Sequence, residues 1–261
     1  CTEGLFIRDD FTNKPDAEIE LHQLDIGINV YNSIAYTGYL FNKGNITIDS
    51  TTTAGIYAEG IFENQDSSNL IINHSVVDAI NIYSGVFRNQ YGSNLTIKNT
   101  GRHGIYCFSG SFENKKDGTF SIDSTASDGL FLTAISSFYN NGDGFFNSEI
   151  SGYSIHSDNT CFITNDYNSG HLRLYRPFQI EGNVSNNGIW SQLSEAAPVI
   201  YPTFTNTGIV YDPNDLIESP FFTQTGAYIN FIDGEYSVDD TIFQPIDLNF
   251  QNVMDYTFSA N

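Results

Sequence analysis

The chain has 261 residues, enough for one large domain, and 31 Asp and Glu against 10 Lys and Arg give a formal charge of -21. That balance argues against a nucleic-acid or anionic-lipid partner, because each phosphate contact wants a Lys or Arg. Hydrophobic residues make up 40%, with 21 Phe and 16 Tyr, so there is material for a packed core and a disordered chain is excluded.

Asn, Gly, Ser, Thr, Ile, Phe and Tyr dominate, which is strand-and-turn composition. The charge is uneven: residues 1–130 hold 16 acids and 8 bases, and residues 131–261 hold 15 acids and only Arg173 and Arg176.

The first residue is Cys1, with no Met. A chain that starts at Cys resembles a bacterial lipoprotein after signal-peptide removal, and the resemblance implies lipidation of Cys1 and a membrane anchor through it. Cys1, Cys107 and Cys161 cannot form a disulfide framework, and no Cys/His metal spacing occurs, so neither cofactor nor metal is expected. No apolar run is long enough for a membrane-spanning helix. Residues 1–37, with the charged run Arg8 to Leu24, read as a cap and irregular first coil.

Residues 38–153 carry a repeat. Phe62, Phe87, Phe112 and Phe138 step by 25, 25 and 26, and Ile48, Ile72, Ile97 and Ile122 by 24, 25 and 25. Ile56, Ile80, Ile105 and Leu130 form another such column, as do Asn64, Asn89, Asn114 and Asn140. Inside each unit apolar positions alternate. Ile56 and Ala58 point one way and Tyr57 the other; Leu70 and Ile72 oppose Ile71. Short strands recurring every 25 or so residues predict stacked coils about 4.8 Å apart, with Phe and Ile as interior ladders. The Asn column falls at a turn, where amides of successive coils can bond one another. An antiparallel sandwich or barrel also suits short strands, but needs no position-by-position identity.

The unit Gly-Ile-x-x-x-Gly-x-Phe-x-Asn-x(5)-Leu-x-Ile resembles the coils of right-handed parallel β-helix repeat proteins, especially exported bacterial ones. The resemblance implies an all-β solenoid of about nine to ten coils, roughly 25 residues each, about 45 Å long. Three Asp-Ser/Thr sites resemble the O-glycosylation motif of Bacteroidota envelope proteins, which implies modification at Ser50, Ser124 and Thr241. Residues 154–261 read as degenerate coils with longer loops and a C-terminal cap, continuous with the rest as one domain. Cys161 to Asn165 and Leu172-Arg173-Leu174 are strands of one more coil.

Chemistry is thinly signalled. His22, His74, His103, His156 and His171 are scattered, and His74 and His103 are expected as turn or surface residues with no acid at their column. The acids weighed for a carbohydrate-active site are Asp143 and the pair Asp239-Asp240, with Arg173 and Arg176 as the nearby bases. No Asp column recurs. Tyr57, Tyr83 and Tyr106 step by 26 and 23 and are expected to form an outward ladder, either packing mutually or serving as an aromatic platform. These readings point to a non-catalytic, lipid-anchored protein of the bacterial outer membrane and cell surface. It is expected to act as a rigid, adhesin-like binding or structural module for a glycan or an outer-membrane protein. The alternatives are an accessory lipoprotein subunit of a larger outer-membrane complex and a polysaccharide-processing lyase or glycoside hydrolase.

Overall fold

A computed structural model describes residues 3–166, 170–200 and 203–212, with Asn214 and Ile217. Beyond these it describes the backbone of strands Phe222–Gln224, Ala227–Ile232, Glu235–Val238, Asp247–Asn252 and Asp255–Ser259. Among the described residues there is no helix.

Each coil has three sides, because alternating apolar residues make short strands and polar clusters bend the chain between them. One coil runs through Asn69–Ser75 on the first face, Asp78–Tyr83 on the second and Val86–Asn89 on the third. The bend from third to first face uses left-handed backbone at Asp66 (φ 58°), Ser67 (φ 62°) and Asp117 (φ 60°), where short polar side chains are tolerated. The first two faces make one 18-stranded sheet, and the third face makes a ten-stranded sheet.

Neighbouring coils pair in parallel, residue to equivalent residue. Ile48 pairs with Ile72, Ile97 with Ile72 and with Ile122, and Phe62, Phe87, Phe112 and Phe138 pair in series. These side chains are all buried, as are Ile56, Ile80, Ile105 and Leu130. The interior ladders read from the sequence are therefore real columns. Parallel pairing also rules out the sandwich.

The Asn column extends further than its sequence signal. Asn13, Asn42, Asn64, Asn89, Asn114, Asn140, Asn165, Asn186 and Asn206 are all buried, and each Nδ2 donates to the next Oδ1 at 2.7–2.9 Å. From Asn42 to Asn206 that makes seven turns, of 22, 25, 25, 26, 25, 21 and 20 residues. Stacking thus continues past residue 153 with shorter coils, through Phe162–Asn165 and His171–Leu174.

Both ends depart from the regular 25-residue coil. The run Arg8 to Leu24 carries strand Asp10–Asn13 and the start of Glu18–Val30, which pair in parallel with Tyr39–Asn42 and Asn45–Ala58. It is part of the first coil. Near the other end Ala227–Ile232 joins Ile209–Tyr211 in parallel, then pairs antiparallel with Glu235–Val238. Asp247–Asn252 and Asp255–Ser259 form a second antiparallel pair. Hairpins thus follow the last parallel strands, and the turns marked from Asn42 to Asn206 among the described residues are seven, against the nine or ten coils expected.

Candidate functional face

The second face turns its polar and aromatic side chains outward in rows along the rod. In a parallel ladder each outward residue sits above its equivalent one coil away, so a row collects residues about 25 apart. One row runs Tyr57, Asn81, Tyr106, Phe131, His156. The adjacent row contains Tyr83, Phe108 and Thr133.

The three tyrosines are not one ladder. Tyr57 and Tyr106 share a row with Asn81 between them, and Tyr83 lies two residues over on the same outward side. That offset produces the uneven steps of 26 and 23. Tyr83 still stacks, at 6.3 Å from Tyr57 and 5.0 Å from Phe108, with interplanar angles of 17° and 4°. A second group gathers Tyr106, Phe131, His103 and His156, with centroids 4.7–6.0 Å apart. A ring inside such a stack has a neighbour over each face, so it shows solvent mainly an edge.

Beneath the second group lies a row of titratable groups. Asp78, His103, Asp128 and Tyr153 follow one another at steps of 25. Asp78 is buried and paired with the Arg102 guanidinium, whose Nε stands 2.8 Å from Oδ1. Asp128 Oδ2 is 3.1 Å from His156 Nδ1 and 3.5 Å from His103 Nδ1, and Oδ1 accepts the Tyr153 N–H at 2.9 Å. Burial raises the Asp128 carboxyl, but the His156 and Tyr153 hydrogen bonds outweigh it and hold the group below its usual range. Burial pushes the His103 imidazole down.

The expectation of no acid at the histidine's column fails at His103, which lies between Asp78 and Asp128. It holds for His74, whose row carries Ser50 and Asn99, and the acid its Nδ1 meets at 2.9 Å, Asp49, stands in the neighbouring row, in register with Asn73. Asp78 and Asp128 each lie 25 residues from His103, a signal present in the sequence. It hid because a column of unlike residues does not look like a repeat.

The remaining expected sites fall as follows. Ser50 and Ser124 occupy one row three coils apart, with His74 and Asn99 between them. Ser50 Oγ donates to Asp49 at 3.0 Å and Ser124 Oγ to Asn99 at 3.1 Å. Cys107 and Cys161 are buried free thiols in different columns. Asp143 begins strand Asp143–Ile150 on the first face, with its Oδ1 3.8 Å from His171 Nδ1 and 3.7 Å from Arg173. Arg176 donates to the Ser151 carbonyl at 3.1 Å. Cys1, Thr241, Asp239 and Asp240 lie outside the described residues.

Comparison with known proteins found no matching family model, no matching curated protein and no matching solved structure.

Proposed function

We propose that the protein is a rigid binding module of the bacterial outer-membrane surface that engages a partner protein along its second face. The observation that carries the reading is two adjoining outward groups of packed rings, Tyr57, Tyr83 and Phe108 in one and Tyr106, Phe131 and His156 in the other. Rings stacked on each other expose edges rather than faces. A sugar platform needs free faces, whereas an apolar ridge of edges suits a protein surface. The acids of this face, Asp78 and Asp128, are committed to Arg102 and His156, which favours binding over acid-base chemistry there. Three-sided stacking supplies the rigidity. An accessory subunit docked on a larger membrane complex is a special case of the same reading.

A photo-crosslinking residue placed at Tyr83 tests it in the native cell, with one at Ile71, exposed on the first face, as control. One defined membrane-protein adduct from position 83 and none from 71 is the expected result. Equal adducts from both positions, or none from 83, would overturn it.

A further inference from the structure

Away from the second face, three coils bring together an acid, an imidazole and a hydroxyl on the first face. Asp143 opens strand Asp143–Ile150 and pairs in register with His171, the first residue of His171–Leu174. Ser191, on strand Ile189–Gln192, pairs in register with Arg173. His171 Nε2 is 3.2 Å from Ser191 Oγ, and His171 Nδ1 is 3.8 Å from Asp143 Oδ1. The order is carboxylate, imidazole, hydroxyl, with the two ring nitrogens turned to different partners.

We propose that Asp143, His171 and Ser191 form an acyl-transfer site whose substrate is a short O-acyl ester. This goes beyond the binding reading and takes up the enzyme alternative at a different place on the rod.

Arg173 Nε, one of several buried side-chain atoms without a hydrogen-bond partner among the described residues, lies one coil from Ser191 and in register with it. An unmet buried donor is costly, and an oxyanion would satisfy this one. Exposure falls along the site, from 50% at the Asp143 side chain to 11% at His171 and 2% at Ser191. The hydroxyl is thus the buried end of the row, which limits the substrate to a small acyl group.

The chemistry balances with water as the only co-reactant. Asp143, a positioning residue, stands 3.8 Å from Nδ1. Only on closing to hydrogen-bond distance as substrate binds would it fix the tautomer that leaves Nε2 to accept, and raise the basicity of an imidazole that burial holds at about 3 in the free protein. His171 takes the Ser191 hydroxyl proton as Oγ attacks the ester carbonyl carbon, and the Arg173 guanidinium stabilises the oxyanion. The C–O bond to the alcohol then breaks, and His171 returns its proton to the departing oxygen. Water, losing a proton to the same imidazole, attacks the acyl-serine, releases the carboxylic acid and restores the hydroxyl. The long Asp143–His171 contact is of the kind that shortens when substrate binds.

The probes are 4-nitrophenyl acetate for turnover and a fluorophosphonate for covalent capture, applied to the full chain. Ester hydrolysis above buffer and fluorophosphonate modification of the peptide carrying Ser191 are expected. Ser191→Ala should remain folded by circular dichroism, lose the modification and fall to background turnover. Asp143→Asn, at a half-exposed position, should lower kcat by roughly a hundredfold or more with KM little changed, since it acts through the imidazole. The proposal fails if the folded protein is neither modified nor active. It fails equally if Ser191→Ala retains activity, or if Asp143→Asn leaves kcat unchanged. Crosslinking from Tyr83 does not depend on Ser191, so either reading can fail alone.

Discussion

His171 is the residue whose surroundings change its titration most plainly. Burial pushes its imidazole from 6.5 down to about 3, and Arg173 adds to the effect. The polar groups near it are Asp143 on the preceding strand, Arg173 on its own and Ser191 on the following one. The unfolded chain binds a proton here near pH 6.5, and the folded chain does so only near pH 3. Between those values the unfolded state holds more protons, so stability falls as pH is lowered, by up to about 1.4 kcal/mol per unit. His103, lowered chiefly by burial, works in the same direction. Asp128 and Asp158 have lowered pKa values, so their contribution is present above the unfolded value of 3.8 and is lost only below it. The window from about pH 6.5 to about pH 5 therefore isolates the histidines. Urea midpoints should fall across it in the native protein and fall distinctly less in His171→Gln. An unchanged slope in the variant would mean that folded His171 takes up protons freely.

At the scale of the element, the buried asparagine column ties each coil to the next. Asn114 accepts from Asn89 at 2.9 Å and donates to Asn140 at 2.8 Å, with further donations to the Gly118 and Asp143 carbonyls at 3.1 and 3.2 Å. Asn114→Ala strands the Asn140 carbonyl in a fully buried place, while the Asn89 amide keeps its donations to the Thr119 and Ser93 carbonyls at 2.7 and 3.2 Å. One unmet buried group costs about 1–3 kcal/mol, which is the loss expected in a urea titration. Hydrogen exchange should quicken first in Val86–Asn89 and Ser137–Asn140, the strands paired with Ser111–Asn114, because coils contact mainly their neighbours. A loss below about 1 kcal/mol would show that water or a shifted neighbour replaces the bonds.

This column also shows what the sequence made legible. Asn64 to Asn140 stood out because one residue type recurs at one spacing, as Phe and Ile do. Asn13, Asn42, Asn186 and Asn206 belong to the same ladder, but turns of 29, 22, 21 and 20 residues hide them from a 25-residue ruler. Sheet register tolerates such changes because extra or missing residues go into the bends. The acid–histidine rows were hidden differently. Asp78, His103 and Asp128 keep the spacing but change the residue type. Asp143, His171 and Ser191 change both, at steps of 28 and 20, and Ser191 belongs to the neighbouring row. Contacts between unlike residues on shortening coils become visible only once register is known.

For the whole molecule the decisive quantity is the uneven charge. Residues 1–130 carry a net -8, from 8 bases and 16 acids, and residues 131–261 carry -13, from 2 bases and 15 acids. In the first half the bases are placed on acids of adjoining coils: Lys43 on Asp66, Arg88 between Glu63 and Glu113, Lys98 on Asp123, Arg102 on Asp78. In the second half Asp158 is held instead by hydroxyl and N–H donors from Thr133, Ala134 and Thr160, which leave its charge in place. Coils repeat about 4.8 Å apart, so acids on nearby coils stand within the distance over which salt screens at low ionic strength. Raising salt from about 0.01 M to about 0.15 M shortens the screening length from about 30 Å to about 8 Å, which weakens repulsion along the rod. The same salt weakens the exposed ion pairs, but such pairs contribute only about 0–1 kcal/mol each, and they are concentrated in the less acidic half. Repulsion should therefore dominate, and Tm should rise with salt over that range. Replacing Glu181 and Glu195 by Gln removes two unit charges from the acidic half and should raise Tm at low salt while shrinking the salt response. If Tm instead fell with added salt, the paired charges of the first half would be setting the stability of the rod, and the acidity of the second half would be electrostatically neutral for folding.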